Sequence, residues 1–297
     1  MAQGPDRGLG RHEGGFELST PSSRTSGAAA DNRPLQGALI LAECMRTGRP
    51  IDALPEACRP SSRDAGYAIQ ARLGDALRDE IVGWKIAATS LGGQKHIGVD
   101  GPQAGRIFQR QVCTQHEIVP TRGNRMKVAE PEFAFGFGRD MPSRSAPYSV
   151  DEVLAAVDSM RPAIEMPASR FADFANAGEA QLIADNSCAG CFVFGAPASE
   201  GWRSIDLSRH EVHARIERNG LAVLESAGTG AAVLGDPRIA LTWLVNELSR
   251  LGIGLCAGQL VSTGTCMTPL PAEPGDWVTA DFGALGLVRL QYGELSA

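Results

Sequence analysis

Two carboxylates stand two residues apart in the stretch Val128-Ala129-Glu130-Pro131-Glu132-Phe133-Ala134-Phe135-Gly136-Phe137. In an extended strand successive side chains point to opposite faces, so Glu130 and Glu132 share one face while Phe133, Phe135 and Phe137 share the other. The aromatic face reads as core. The acidic face has three readings open to it: solvent, an ion pair with Lys or Arg, or a hard cation such as Mg2+ or Ca2+. A third acid, Glu165, lies between Pro162 and Pro167 in an otherwise apolar run, a costly place for an unpartnered charge, and adds weight to the cation. Pro131 removes a backbone donor between the two acids, which predicts an edge or a bulge in the strand there.

A lysine interrupts another apolar run, Ile81-Val82-Gly83-Trp84-Lys85-Ile86-Ala87. Lys85 must either snorkel to solvent or meet an acid; beside carboxylates it would hold an anionic substrate or carry protons. His96, alone in what reads as a polar loop, is a solvated side chain or a catalytic base. Cys188 and Cys191 have C-x-x-C spacing, but no second pair completes a zinc site, and buried apolar thiols are the simpler reading. Gly228-Thr229-Gly230-Ala231-Ala232 lacks the lysine of a phosphate loop and the third glycine of a dinucleotide fingerprint, so it reads as a tight turn.

The elements that must position these groups follow from periodicity and punctuation. Residues 1–33 are rich in Gly, Ser and Arg with little apolar periodicity and read as a disordered tail. Helical spacing over residues 35–47 and over 62–80, where Tyr67, Ile69, Ala71, Leu73 and Leu77 supply the buried side, predicts a helical cap spanning 34–80. β-Branched and aromatic residues at 81–89 predict a strand. Ser149 with Glu152 forms a capping box opening a helix that carries Val153, Leu154, Val157 and Met160. Asn219-Gly220 marks a hairpin. Asp236-Pro237 opens a helix whose apolar face is Ile239, Leu241, Leu244, Val245, Leu248 and Leu251. Residues 260–292 read as short strands with tight connections, so 81–297 forms a strand-rich domain.

Composition narrows the class. The chain has 297 residues, 43% hydrophobic and 21% charged, with a net charge of −6, which argues against nucleic acid or an anionic membrane as partner. No run approaches the ~20 apolar residues that span a bilayer. Seven scattered cysteines fit a reduced, cytoplasmic setting better than a disulfide framework.

The set Gly83-Trp84-Lys85-Ile86, Gly98-Val99-Asp100-Gly101-Pro102, Glu130-x-Glu132, Ala163-Ile164-Glu165, Ala184-Asp185-Asn186, Gly228 through Pro237 and Thr263-Gly264 resembles, in order and spacing, the 2-keto-4-pentenoate hydratases and 4-oxalocrotonate decarboxylases of the fumarylacetoacetate hydrolase superfamily. The resemblance covers about residues 35–292. It implies an α+β fold, a mixed β-roll or distorted β-sandwich with flanking helices, assembled as a homo-oligomer. It implies Mg2+ or Mn2+ on Glu130, Glu132 and Glu165, with Lys85 as the catalytic lysine. Gln103, Asp185, Cys188 and Thr263 fall at substrate-binding positions, and the chain departs from the hydratases at Gln103, where they carry Asp, and at Cys188, where they carry Ser. The activity implied is hydration of a small 2-hydroxy-2,4-dienoate or 2-keto-enoate in aromatic catabolism. A 2-oxo acid decarboxylase of the 4-oxalocrotonate type is the runner-up. Behind these two stand an acylpyruvate-type C–C hydrolase, with His96 as base, and a non-catalytic binding protein on the same fold.

Overall fold

Local signals at the ends of elements set much of the architecture. In the computed structural model, which describes Met1, residues 31–115 and residues 117–294, helix α1 (Arg33–Thr47) begins with a proline in its first turn and stops at Gly48, whose φ of 71° closes the end. The tail expected over residues 1–33 falls almost wholly outside the described residues.

The single helix expected over 62–80 is two: α2 (Arg63–Gln70) and α3 (Leu73–Leu77). The Arg72 N–H turns back to the Ile69 carbonyl at 2.9 Å, a tightened turn that ends α2 and leaves Ala71 exposed rather than on the buried side. Strand β1 (Ile81–Ala87) follows, and then α4 (Leu91–Ile97), with the Ser90 side chain accepting from the Gly93 N–H; His96 therefore sits on a short helix and not in a loop. The strands β2 (Gln103–Phe108), β3 (Val112–Cys113), β4 (Ile118–Pro120) and β5 (Val128–Phe137) come next.

The capping box of Ser149 and Glu152 opens α5 (Val150–Ala156), but the helix ends there. Val157 and Met160, expected on it, belong to β6 (Val157–Met166), where they pair with Phe137 and Phe135 of β5. Ladder pairing and a β-branched residue at the junction override the helical spacing. Then come α6 (Glu179–Ala184), β7 (Cys191–Phe194), and the hairpin β8 (Glu211–Arg218) and β9 (Leu221–Thr229). Asn219 and Gly220, both at positive φ, make its turn. Asp236 caps α7 (Pro237–Arg250), which packs Leu241, Leu244, Val245 and Leu248 inward; Ile239, expected on that face, is half exposed. The chain closes with β10 (Leu260–Thr265), β11 (Leu270–Pro271), β12 (Trp277–Asp281) and β13 (Leu287–Gly293).

These strands form two sheets. One is eight-stranded, ordered β2-β1-β10-β5-β6-β7-β3 with β11 paired to β5; the other is five-stranded, ordered β4-β13-β12-β8-β9. Phe133 meets Phe282 edge-to-face at 5.1 Å and Phe135 meets Trp202 at 5.7 Å, so the aromatic side of β5 fills the main core as its alternation predicts. A second core, with Leu41, Ile69, Leu73, Leu77, Phe171 and Leu182, seats the N-terminal helices. This is the mixed α+β arrangement of curled sheets and flanking helices that the resemblance implies.

Candidate metal centre and active site

The three acids are brought together by strand geometry alone. Glu130 and Glu132 lie two residues apart on β5, and β6 pairs in a register that sets Glu165 directly opposite Glu130. Side chains at directly opposed positions share a face with their Cβ atoms about 5 Å apart. As a result one carboxylate oxygen from each acid lies within 4.8 Å of the others. The solvated reading of this face fails, since Glu132 and Glu165 are fully buried.

Lys85 reaches the same point from β1, three strands away from β6. On a flat sheet that separation is about 14 Å, beyond the reach of a lysine, so only the curl of the sheet allows the contact. Its Nζ lies 3.0 Å from Glu165 Oε2 in an ion pair buried at both ends, and donates to the Ser187 carbonyl at 3.2 Å. Snorkelling of Lys85 to solvent is thereby excluded.

β10 supplies the support for Glu132. Its ladder to β5 slips between Ser262 and Thr265, and the slip lets the Ser262 hydroxyl and the Gly264 N–H donate to Glu132 Oε2 at 2.5 and 2.9 Å. Gly264 has a φ of +94°, and a Cβ there would fall 2.4 Å from the Thr89 hydroxyl, so glycine is required. Pro131 is correspondingly not at a sheet edge: β5 is flanked on both sides, and the irregularity lies in β10 opposite the acids. Glu165 Oε1 accepts from the Gly190 N–H at 3.2 Å.

Behind Lys85, three consecutive non-glycine residues, Asn186, Ser187 and Cys188, adopt left-handed φ values of 56°, 52° and 58°. Each such residue costs roughly 1–2 kcal/mol, so the turn must be held by its surroundings. The Asn186 side chain accepts from the Arg106 N–H at 2.7 Å and donates to the Arg106 carbonyl at 2.8 Å, and the Ser187 hydroxyl donates to the Ala104 carbonyl at 2.9 Å. The turn aims the Ser187 carbonyl at Lys85 and lifts Cys188 into the cavity wall. Burial, with Asp185 nearby, pushes the Cys188 thiol up to about 12, so it stays protonated and is no nucleophile.

Burial and the neighbouring Glu165 raise Glu130 to about 7 against the opposing pull of Lys85. Burial likewise raises Glu132 and Glu165. For Lys85 burial acts downward, yet the field of Glu165, Glu130 and Glu132 outweighs it and holds the ammonium above the usual lysine range. Three acids crowd against one base in a largely buried cluster. Glu132 Oε1 is buried without a hydrogen-bond partner, and Glu165 Oε2 has only its ion pair. An all-oxygen donor set with unsatisfied carboxylate oxygens fits a hard divalent cation.

Lys85 and Glu130 line a cavity of about 670 Å³, with Gln103, Ser187, Cys188, Thr89, Gly264, Thr265 and His96, and Glu132 and Glu165 are buried beside them. Gln103 is fully buried, with neither amide atom hydrogen-bonded to a described group, and so offers a donor and an acceptor inward. Two sequence-predicted site residues stand elsewhere. Asp185 is buried outside the cavity wall, its carboxylate taken by the Ser169 hydroxyl, the Arg170 N–H and the Arg170 guanidinium. The Thr263 hydroxyl donates to the Phe133 carbonyl, and its neighbours Gly264 and Thr265 line the cavity instead. Sequence reasoning also missed Ser262, whose contact depends on the slip in β10. Its position beside the Thr263-Gly264 motif was the available signal.

No protein-family model matches the chain. A 2-keto-4-pentenoate hydratase from Paraburkholderia xenovorans is 34% identical over 261 residues, spanning 86% of this chain and 94% of that relative. Among solved structures, the 4-oxalocrotonate decarboxylase from Pseudomonas putida, complexed with magnesium and adipate, superposes with a TM-score of 0.73 at 25% identity, covering 86% of this chain and 97% of that one. A structure described as of the fumarylacetoacetate hydrolase family, from Yersinia pestis, shares the fold with a TM-score of 0.52 at 17% identity, over 70% of this chain and 91% of that one.

Proposed function

The chain belongs to the 2-keto-4-pentenoate hydratase family, within the fumarylacetoacetate hydrolase superfamily, and from that premise we propose that it is a divalent-metal-dependent lyase hydrating a small 2-hydroxy-2,4-dienoate. The observation that carries the reading is the cluster of Glu130, Glu132 and Glu165 around Lys85, with Glu130 and Lys85 on the wall of one cavity. Those acids would hold Mg2+ or Mn2+, which supplies Lewis acidity where the carboxylate and C2 oxygen of the substrate bind.

The remaining chemistry falls to the chain's own groups. Ketonisation moves the C2 hydroxyl proton to C5 and shifts the remaining double bond to C3–C4; water then adds its oxygen at C4 and a proton at C3. Lys85, protonated and fixed by Glu165 and the Ser187 carbonyl, is the group placed to carry protons or to bind the substrate carboxylate. Gln103 can orient the attacking water through its free amide but cannot deprotonate it. Cys188 contributes shape and a weak donor to the cavity wall.

The likeness to 4-oxalocrotonate decarboxylase favours a second reading, in which the same enolate-stabilising groups serve loss of carbon dioxide. Purified protein with Mg2+ and a panel of 2-hydroxydienoates separates the two: hydration removes dienol absorbance without carbon dioxide, and decarboxylation releases it. Absence of both reactions with Mg2+ and with Mn2+ sinks the lyase reading.

A homo-oligomer is part of the proposal, supported by β9, which is unpaired on one side among the described residues and where Leu221 and Val223 are 71% and 53% exposed. A cytoplasmic setting is supported by seven free cysteines. No helix among the described residues is long and apolar enough to cross a membrane.

A further inference from the structure

The cavity is far larger than a five-carbon dienoate needs. Such a molecule has eight heavy atoms, and even at the roughly 30 Å³ that a liquid water takes up for each it would fill no more than about 240 Å³. More than half of the 670 Å³ lies beyond it. Ile97, Met126, Pro167, Ala232, Met267 and Pro269 supply apolar wall to this cavity. Among the described residues lining the cavity Lys85 is the only permanent cation, and Glu165 already engages it. The hydroxyls of Thr229 and Thr265 can hold water or a neutral polar group but cannot neutralise a carboxylate.

Resting on the lyase reading above, we propose that the enzyme's substrates are monocarboxylic 2-hydroxydienoates carrying a sizeable apolar substituent at the distal end, and that dicarboxylates are excluded. The metal-binding end fixes one carboxylate with its 2-oxygen, which directs the tail into the apolar space. Each methylene buried there favours binding by about fourfold. A second carboxylate in the same place would be desolvated with no permanent cation to pair it, a loss of at least about tenfold. Two methionines in the wall allow it to fit tails of differing shape.

Two measurements on the Mg2+-loaded protein test this. Calorimetric affinities of unreactive 2-oxo acids probe the cavity without requiring turnover: 2-oxooctanoate should bind at least tenfold tighter than 2-oxopentanoate, and 2-oxoadipate at least tenfold weaker than either. Equal affinities for the two monoacids, or 2-oxoadipate binding as well as 2-oxopentanoate, overturn the proposal. The same order in kcat/KM is expected for dienoates bearing hydrogen, propyl, phenyl or carboxylate at C5. If no dienoate is hydrated while the 2-oxo acids keep their order, the substrate-shape inference stands and the hydratase reading alone falls. Met126→Lys, which sets a cation in the wall, should raise 2-oxoadipate affinity at least tenfold; an unchanged order refutes the assignment of that wall to the tail.

Discussion

Replacing Lys85 by Met removes the ammonium group that faces three carboxylates, two of them fully buried, while keeping most of the side chain's length and apolar stem. At the 3.0 Å separation from Glu165, and an effective dielectric of about 20, the lost attraction is about 5.5 kcal/mol. Release of the lysine's own desolvation penalty offsets part of this, and breaking one side of a buried pair costs about 3–5 kcal/mol in practice. A loss of that size is a large share of the roughly 5–15 kcal/mol that keeps a domain folded. A bound divalent cation changes the balance, because it satisfies the same carboxylates; at a concentration one hundred times its Kd it restores about 2.7 kcal/mol. The variant should therefore unfold at much lower urea than the parent in EDTA, and Mg2+ should raise its midpoint by more than it raises the parent's. It should also bind Mg2+ more tightly, having lost the internal cation that competes for Glu165. Turnover of a 2-hydroxydienoate by the metal-loaded variant should fall by about 10²–10⁴, the usual contribution of a positioned proton carrier. Urea midpoints with and without Mg2+, together with dienol absorbance, make the assay. Unchanged midpoints in EDTA would refute the electrostatic argument, and turnover within about threefold of the parent would refute the role given to Lys85.

The pH dependence of the metal-free protein should run opposite to that of a protein held by salt-bridged acids. Glu130 rises from 4.5 to about 7 on folding, and Glu132 and Glu165 rise with it, so the folded state keeps protons that the unfolded chain has released. Stability in EDTA is then greatest below about 4.5 in this contribution and declines as pH climbs to about 7, whereas Mg2+ should stabilise more at pH 7.5 than at 5.5; parallel melting curves that rise with pH in EDTA contradict it. Asn186→Ala leaves the Arg106 N–H and carbonyl unpaired and puts alanine at a φ of 56°, for a predicted loss of about 3–5 kcal/mol by urea unfolding. His96 packs its ring against Phe174 at 6.1 Å and stands exposed on α4, so His96→Ala should change hydratase kcat by less than about threefold; a loss beyond 100-fold points to C–C hydrolysis instead. Val223→Lys on the exposed β9 edge should lower the oligomer's mass in light scattering, and an unchanged mass at low micromolar concentration moves the interface elsewhere.

Much of the site was legible in sequence because period-2 alternation is a local property. Glu130 and Glu132 on one face, and Phe133 and Phe135 on the other, needed no knowledge of what packed against them. The caps at Ser149 and Asp236 and the hairpin at Asn219-Gly220 were equally local, since each depends on a side chain bonding to backbone a few residues away or on a positive φ. Where tertiary pairing competed with local preference, the sequence misled. Val157 and Met160 kept helical spacing with α5 yet joined β6, and residues 62–80 broke into two helices.

What the sequence by itself determined was the inventory: three acids, one lysine, their strands, and an ordered motif set that resembles one superfamily. Only the tertiary structure decided which acids meet. The β5–β6 register puts Glu165 opposite Glu130, the slip in β10 gives Glu132 its donors, and the curl of the sheet carries Lys85 across three strands. The same level of structure withdrew Asp185 and Thr263 from the cavity, because their polar atoms are engaged by Arg170 and by the Phe133 carbonyl. Register, curl and cavity volume arise from contacts between residues distant in the chain, and no local pattern encodes them.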